Sequence, residues 1–263
     1  LQPRSRQGDH AAVVSPSVFV LDHGLARPRR LVSALAAIGV DARLTDTPLS
    51  ARQADILIVP DGEDAEAALA RGMSAGVMDA IAHHAARERP LLAVGLGLCF
   101  LLSGRTHPAM PPGADVFRAP VQHFDSRMAD EGERPLMSPH TGSSLVVGLD
   151  RQPALCGLVP RDAPGAWFAF RHRLCAPARI PQSDVAIAHH GVPFAAAIWR
   201  GSTLAIQFLP EQSGPAGLDV LRAFFAFATK RASSPPTLAA PLNPSRLSPA
   251  ATHLATTTAP KVS

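Results

Sequence analysis

Short, unbroken apolar runs alternate with stretches of helical periodicity through the first hundred residues, and no other feature restricts the fold as strongly. Val18–Leu21 runs into the turn Asp22-His23-Gly24. Ile56–Val59 is closed by Pro60-Asp61-Gly62, and Leu91–Val94 by Gly95-Leu96-Gly97. Between the first two lies a helical face of Leu31, Leu35 and Ile38. Pro28 stands where a first turn tolerates proline, and Gly39 falls just past the end. Val77, Met78 and Ile81 mark a second helix that stops before Pro90. Strands of this kind alternating with helices of this length predict a mostly parallel sheet covered by helices on both faces.

The second half is richer in strands. Phe194–Arg200 and Leu204–Phe208 flank the hairpin-like turn Gly201-Ser202-Thr203, so a mixed, hairpin-containing region should complete the sheet. Pro215–Ala228 reads as the last helix, with Leu218, Leu221, Phe224 and Phe225 at helical spacing. Residues 104–137 are irregular and yield no assignable element. Residues 1–14 are polar and expected to be loose, and 15–230 form the domain. Residues 231–263, rich in Pro, Ser, Thr and Ala without apolar periodicity, are expected to be disordered.

Charge and cysteine content narrow the function classes. The formal net charge is +4, which at first suggests nucleic acid. Arg231, Arg246 and Lys261, with no acid beside them, place three of those charges in the tail; the first twelve residues carry the fourth. The domain is therefore neutral and has no basic stripe to follow phosphates. No apolar run approaches the roughly 20 residues that span a bilayer, and the first residues lack a signal-peptide core, so a cytoplasmic protein is expected. Cys99, Cys156 and Cys175 make neither a disulfide framework nor a metal-ligand spacing, and no metal or cofactor is expected.

A strand, a Gly-x-Gly turn and a helical stretch (Leu98–Leu102, stopped by Gly104) form the layout of a nucleophile elbow. Such a turn lifts one side chain to the sheet edge beside backbone N–H groups that can hold an oxyanion. Here the apex is Gly95, which has no side chain. The stretch Leu91–Leu102 resembles the elbow of class I glutamine amidotransferases, where a Cys stands in a GxCxG-like motif. Gly95 falls on the Cys position and Gly97 on the following Gly, with Leu96 between them. Cys99 falls where a Gln lines the glutamine pocket. Gly191–Ala197 and then Ile206–Gly214 resemble the closing motif, which carries a catalytic His and a Glu two residues apart. Leu209 takes the His position, and Glu211 keeps the Glu.

Further matches resemble the glutaminase subunit of imidazole glycerol phosphate synthase: Asp22-His23-Gly24, Leu44-Thr45-Asp46 before the second strand, Pro139-His140-x-Gly142, and Trp167–His172. The resemblance spans roughly residues 17 to 228. It implies a flavodoxin-like α/β fold and, by family, hydrolysis of glutamine with ammonia passed to a (β/α)8-barrel cyclase in a heterodimer. It also places Pro139, His140, Gly142, Phe170 and His172 in structural and partner-facing segments. The family's Pro-Gly-x-Gly oxyanion turn reads Pro60-Asp61-Gly62-Glu63 here, with acids at both glycine positions.

The chemistry weighs against turnover. Amide hydrolysis of this kind needs a thiolate, a His to generate it and a carboxylate to orient the His. Glycine cannot attack and leucine cannot take a proton. Glu211 is left as a loop or helix-start residue. The expected protein is a pseudo-glutaminase subunit of histidine biosynthesis, with retention of glutamine left open. Two alternatives stand beside it: activity through a relocated nucleophile such as Cys99, which a buried packing role opposes, and a diverged binding module with another partner. His83-His84 and His189-His190 are expected at the surface or in turns.

Overall fold

The computed structural model describes residues 15–104, 111–124, 135–152, 154–159 and 162–233. Five parallel strands form its central sheet in the order β2 (Ala42–Thr45), β1 (Val18–Leu21), β3 (Ile56–Val59), β4 (Leu91–Val94), β13 (Thr203–Ile206). The sheet continues antiparallel through β12 (Val192–Arg200), β10 (Leu174–Pro177) and β7 (Gln122–His123), and β11 (Asp184–His190) also pairs with β12. A mostly parallel α/β sheet with a mixed second half is thus observed. The hairpin about Gly201 is β12–β13.

Strands β3 and β4 are buried at every position, as continuous apolar runs in a doubly covered sheet should be. Their side chains alternate between two cores. Ile56, Ile58, Leu92, Val94, Leu204 and Ile206 pack on the side of α1 (Pro28–Ala37) and α5 (Gly214–Ala232), against Leu31, Leu35, Leu221 and Phe224. Leu57, Val59, Leu91, Ala93 and Ala205 pack on the other side. There they meet Ala51 of α2 (Pro48–Gln53), Leu69 of α3 (Ala65–Ser74) and Ile81 of α4 (Val77–Ala86). Capping sets two helix starts: Thr47 Oγ1 accepts from the Ser50 N–H, and Asp64 Oδ1 accepts from the Ala67 N–H.

Several expectations change. Leu44-Thr45 precedes Ile56–Val59 as expected, but it also belongs to a strand not assigned from the sequence, edge strand β2, whose exposed Arg43 and Leu44 hide it from a search for apolar runs. The region 104–137 contributes β5 (Leu102–Gly104), β6 (Phe117–Pro120) and β7, while 105–110 and 125–134 lie outside the described residues. The stretch after the elbow is a 3-10 helix, Gly95–Leu101, that passes directly into β5. Its Phe100 carbonyl accepts from the Ala114 N–H, a contact that takes over from a further helical turn. Helix α5 runs to Ala232, past the domain end expected at 230; residues 1–14 and 234–263 lie outside the described residues. Among the described residues, no helix is long and apolar enough to cross a membrane.

A separate antiparallel ribbon, β8 (His140–Val146) with β9 (Ala166–His172), lies against the sheet. Its attachment includes the Val147–Ile187 bridge and the Leu209 N–H donated to the Ala169 carbonyl.

Candidate functional site

Strands β3, β4 and β13 are parallel neighbours, so the segments that leave their C-terminal ends meet. Those segments are Pro60–Glu63, Gly95–Leu101 and Gln207–Gln212. Gly95 leaves β4 at φ +57°, in the left-handed region, which is the strained geometry an elbow requires. Gln207, buried, donates its Nε2 N–H to the Gly95 carbonyl at 3.3 Å. Gly97 lets the turn lie on β3: a Cβ there would stand 2.2 Å from the Val59 carbonyl oxygen.

The space in front of Gly95 is filled. An ideal Cβ on Gly95 would lie 2.4 Å from Asp61 Oδ1 and 2.8 Å from its Cγ. Asp61 is 6% exposed. Its Oδ1 accepts the Leu96 N–H at 2.9 Å, and its Oδ2 accepts from the Arg171 guanidinium at 3.2 Å. The backbone donor that follows the apex, the one an elbow offers to an oxyanion, is therefore engaged by a side chain of the same molecule. Sequence reasoning identified Asp61 as a charge near the oxyanion turn. It did not identify Arg171, 110 residues away, or Gln207; Arg171 lies inside the aromatic run already singled out, but nothing local says which carboxylate it meets.

Glu63 is placed differently from expectation. It is exposed and ion-paired with Arg27, so its carboxylate does not crowd the turn. The backbone around it is laced to the segment after β1: the Arg27 N–H donates to the Asp61 carbonyl at 2.9 Å and the Glu63 N–H to the Leu25 carbonyl at 3.0 Å. Gly62 sits over that pairing, where a Cβ would meet the Leu25 oxygen at 2.6 Å and the buried His23 ring at 2.7 Å.

Leu209 and Glu211 follow β13 on either side of Pro210. Leu209 is 1% exposed and belongs to the apolar core with Phe168 and Phe208. Glu211 lies in the 3-10 turn Pro210–Gln212, and its Oε2 is buried without a hydrogen-bond partner. Burial pushes the Glu211 carboxyl above its ordinary range, and the Asp61 charge pushes it the same way. Glu211 lines a different cavity, with Arg29 and Arg30. Asp61 and Arg171 at the elbow remain within its electrostatic reach.

Cys99 is 1% exposed, and burial pushes its thiol up to about 12. With Asp61, Leu96, Arg171 and Gln207 it lines a cavity of about 610 Å³ at the elbow. A thiol held protonated in this way is no nucleophile at neutral pH.

The ribbon residues expected to face a partner are mostly interior. His140, His172 and Phe170 are buried, because antiparallel pairing puts His140 opposite His172 on the side facing the sheet. Pro139 is half-buried, and Gly142 is exposed at φ +130°. His140, His172 and His190 cluster with Phe124, Phe170 and Phe194. A directed chain orders them. His172 Nδ1–H donates to the Leu174 carbonyl at 2.8 Å, so His172 Nε2 accepts from His140 Nδ1–H at 3.0 Å. His140 Nε2 then accepts from the Ser144 hydroxyl at 2.9 Å. Burial lowers His140 to about 4 and His172 to about 3, so both are neutral at pH 7. His84, expected at the surface, is fully buried, with Nε2 2.9 Å from the Pro90 carbonyl oxygen, and burial lowers it to about 4. Among the described residues, no group of three His, Cys, Asp or Glu side chains is arranged to hold a metal ion.

Comparison with known proteins bears on this geometry. No family model matches the chain. The chain is 32% identical over 219 residues to the imidazole glycerol phosphate synthase subunit HisH of Deinococcus radiodurans, covering 80% of this chain and 93% of that one. It is 30% identical over 212 residues to the subunit of the same name from Pseudomonas putida, covering 80% and 97%. Among solved structures, a glutamine amidotransferase superposes with a TM-score of 0.61 at 17% identity, over 81% of this chain and 99% of that one. Thermotoga maritima PurLQS gives 0.59 at 14% identity, over 81% and 99%. At those identities, the structural matches speak to the fold alone.

Proposed function

The chain belongs to the family of HisH subunits of imidazole glycerol phosphate synthase, and on that premise we propose that it is a noncatalytic, glutaminase-like subunit that has lost glutamine hydrolysis. One observation carries the reading: the apex of the elbow is Gly95, and the place of its missing side chain is taken by the Asp61 carboxylate. Covalent amide hydrolysis needs a nucleophile at that apex and an imidazole beside it. Gly95 supplies no attacking atom. Leu209 supplies no base and lies in the apolar core. The first oxyanion donor, Leu96 N–H, is already bound. Cys99 does not replace the nucleophile, because a thiol pushed up to about 12 carries no useful thiolate at neutral pH. Asp61, Gly62, Leu96, Gly97 and Cys99 are therefore read as the remains of a glutamine pocket, which Glu63 has left for its surface ion pair with Arg27.

The function that remains is docking. The partner proposed is the (β/α)8-barrel cyclase subunit, in a cytoplasmic heterodimer of histidine biosynthesis, with the cyclase drawing on free ammonia. The outward side of the β8–β9 ribbon is the proposed contact face. There Thr141 stands opposite Arg171, and Leu145 opposite Trp167, which is 63% exposed, beside the cavity that Pro139 and His172 also line. The experiment is glutamate release by the purified chain with and without its cyclase, together with a pull-down. The expected result is no glutamate above background, capture of the cyclase, and weaker capture by Trp167→Ala. Glutamate release would refute the loss of hydrolysis, and failure to capture the cyclase would refute the docking role.

A further inference from the structure

The Asp61 carboxylate is a buried charge, and a buried carboxylate persists only where donors replace the water it has lost. Two donors do so, the Leu96 N–H at 2.9 Å and the Arg171 guanidinium at 3.2 Å. They come from elements far apart in sequence and converge where the reacting oxygen of a substrate would sit in an elbow of this design. The backbone of Asp61 is held independently of its side chain, by the Arg27 N–H on its carbonyl and by the neighbouring Glu63 N–H on the Leu25 carbonyl. The seat and the anion in it are therefore separable: removing the side chain leaves the donors and the turn in place.

We propose that Asp61 is an internal ligand of a preserved oxyanion seat, a carboxylate supplied by the chain itself, and that the seat is a carboxylate-binding site which the protein keeps closed. The proposal rests on the reading of Gly95 as a vacated apex. It extends that reading by assigning the seat a ligand class and a reason for remaining intact. An unfilled seat would leave the part-buried Leu96 N–H and the Arg171 guanidinium to be satisfied by water in a cavity of about 610 Å³. Asp61 satisfies both donors in every molecule, so the elbow needs no substrate to complete it. The same contact excludes a carbonyl oxygen from the Leu96 N–H. The glycine at position 95 is then a requirement of the arrangement, because any Cβ there would collide with the carboxylate.

The group deleted by Asp61→Gly is a carboxymethyl, and the free molecule of that shape and charge is acetate. The full-length Asp61→Gly protein is melted in about 0.1 M sodium acetate and in sodium chloride of equal ionic strength. A ligand that binds only the folded state raises stability by mass action. A roughly tenfold gain in the folding constant reads as a melting-temperature rise on the order of 3–5 °C. That rise is expected for Asp61→Gly in acetate, is expected to be under about 1 °C for wild type, and is expected to be smaller when Arg171→Gln is added. An acetate response of Asp61→Gly no larger than its chloride response, or a wild-type response equal to it, overturns the proposal. Should Asp61→Gly not fold in chloride, Asp61→Ala is measured in the same way with formate, the free counterpart of the carboxylate it lacks; if acetate neither raises nor restores the melt of Asp61→Gly and formate neither raises nor restores that of Asp61→Ala, the proposal is wrong. The acetate effect is read without glutamine, so its failure is distinct from a failure of the noncatalytic reading, which glutamate release alone decides.

Discussion

Gly95→Ala should be far more damaging than a glycine-to-alanine change in an ordinary turn, and the excess should disappear when Asp61 is removed. The alanine methyl would have to occupy a point 2.4 Å from Asp61 Oδ1 and 2.9 Å from its Cβ. At φ +57° the backbone alone costs a non-glycine residue about 1–2 kcal/mol. Relieving the collision means moving the carboxylate off the Leu96 N–H, a bond to a charged group worth about 1.5–3 kcal/mol. The Arg171 contact adds little, since that guanidinium is 40% exposed and screened by solvent. The single change should thus cost roughly 2.5–5 kcal/mol. In an Asp61→Gly background the collision is gone, and only the backbone cost of about 1–2 kcal/mol remains. A double-mutant cycle by urea unfolding, with unchanged slopes, should give a coupling of about 2 kcal/mol. Additivity within about 0.5 kcal/mol would refute the claim that Asp61 holds the apex position.

Rebuilding catalysis should follow the same geometry. Gly95→Cys alone should be silent in a glutamate-release assay, and Gly95→Cys with Leu209→His and Asp61→Gly should be the most active combination. Adding Glu63→Gly should change little, because Glu63 pairs with Arg27 away from the cavity; robust turnover by Gly95→Cys alone would refute the assignment of Leu209 to the base position. Stability should fall with acid. His84, His140 and His172 have folded-state values lowered to about 4, 4 and 3, so the unfolded chain binds more protons once pH drops below about 6.5. Their contribution is complete above that pH and is lost as pH falls toward those values, by up to about 2 kcal/mol per histidine at pH 5. Glu211, raised by burial, acts with the opposite sign. A urea midpoint equal at pH 7 and pH 5 would contradict the neutral buried chain. Native alkylation at pH 8 should label exposed Cys156 and spare Cys99 and Cys175, whose thiols burial holds near 12; mass spectrometry showing rapid loss of the Cys99 thiol would reopen the relocated-nucleophile reading.

The strands β1, β3 and β4 and the elbow were legible in the amino-acid sequence because their signals are local. Four consecutive buried apolar residues ending at a glycine or proline need no distant information to be recognised. The absence of a side chain at Gly95, the apex of that turn, is local in the same sense. Edge strand β2 was missed because half of its residues face solvent, and His84 was misplaced because a pair of histidines in a helix gives no sign of which one points inward.

The sequence by itself therefore determined the class of fold, the position of the elbow and the absence of a side chain at its apex. Tertiary structure alone decided what fills that place. Asp61 and Glu63 look alike as acids beside a turn, yet one is buried on the Leu96 N–H and the other is spent on a surface ion pair. Arg171 reaches Asp61 only because the β8–β9 ribbon lies against the sheet, and the same pairing register sends His140 and His172 inward instead of toward a partner. The physical reason is one of range. Periodicity and turn chemistry act over a few residues and are written in the chain. Which carboxylate meets which donor depends on register and packing between segments up to 110 residues apart, and only the folded sheet brings those segments together.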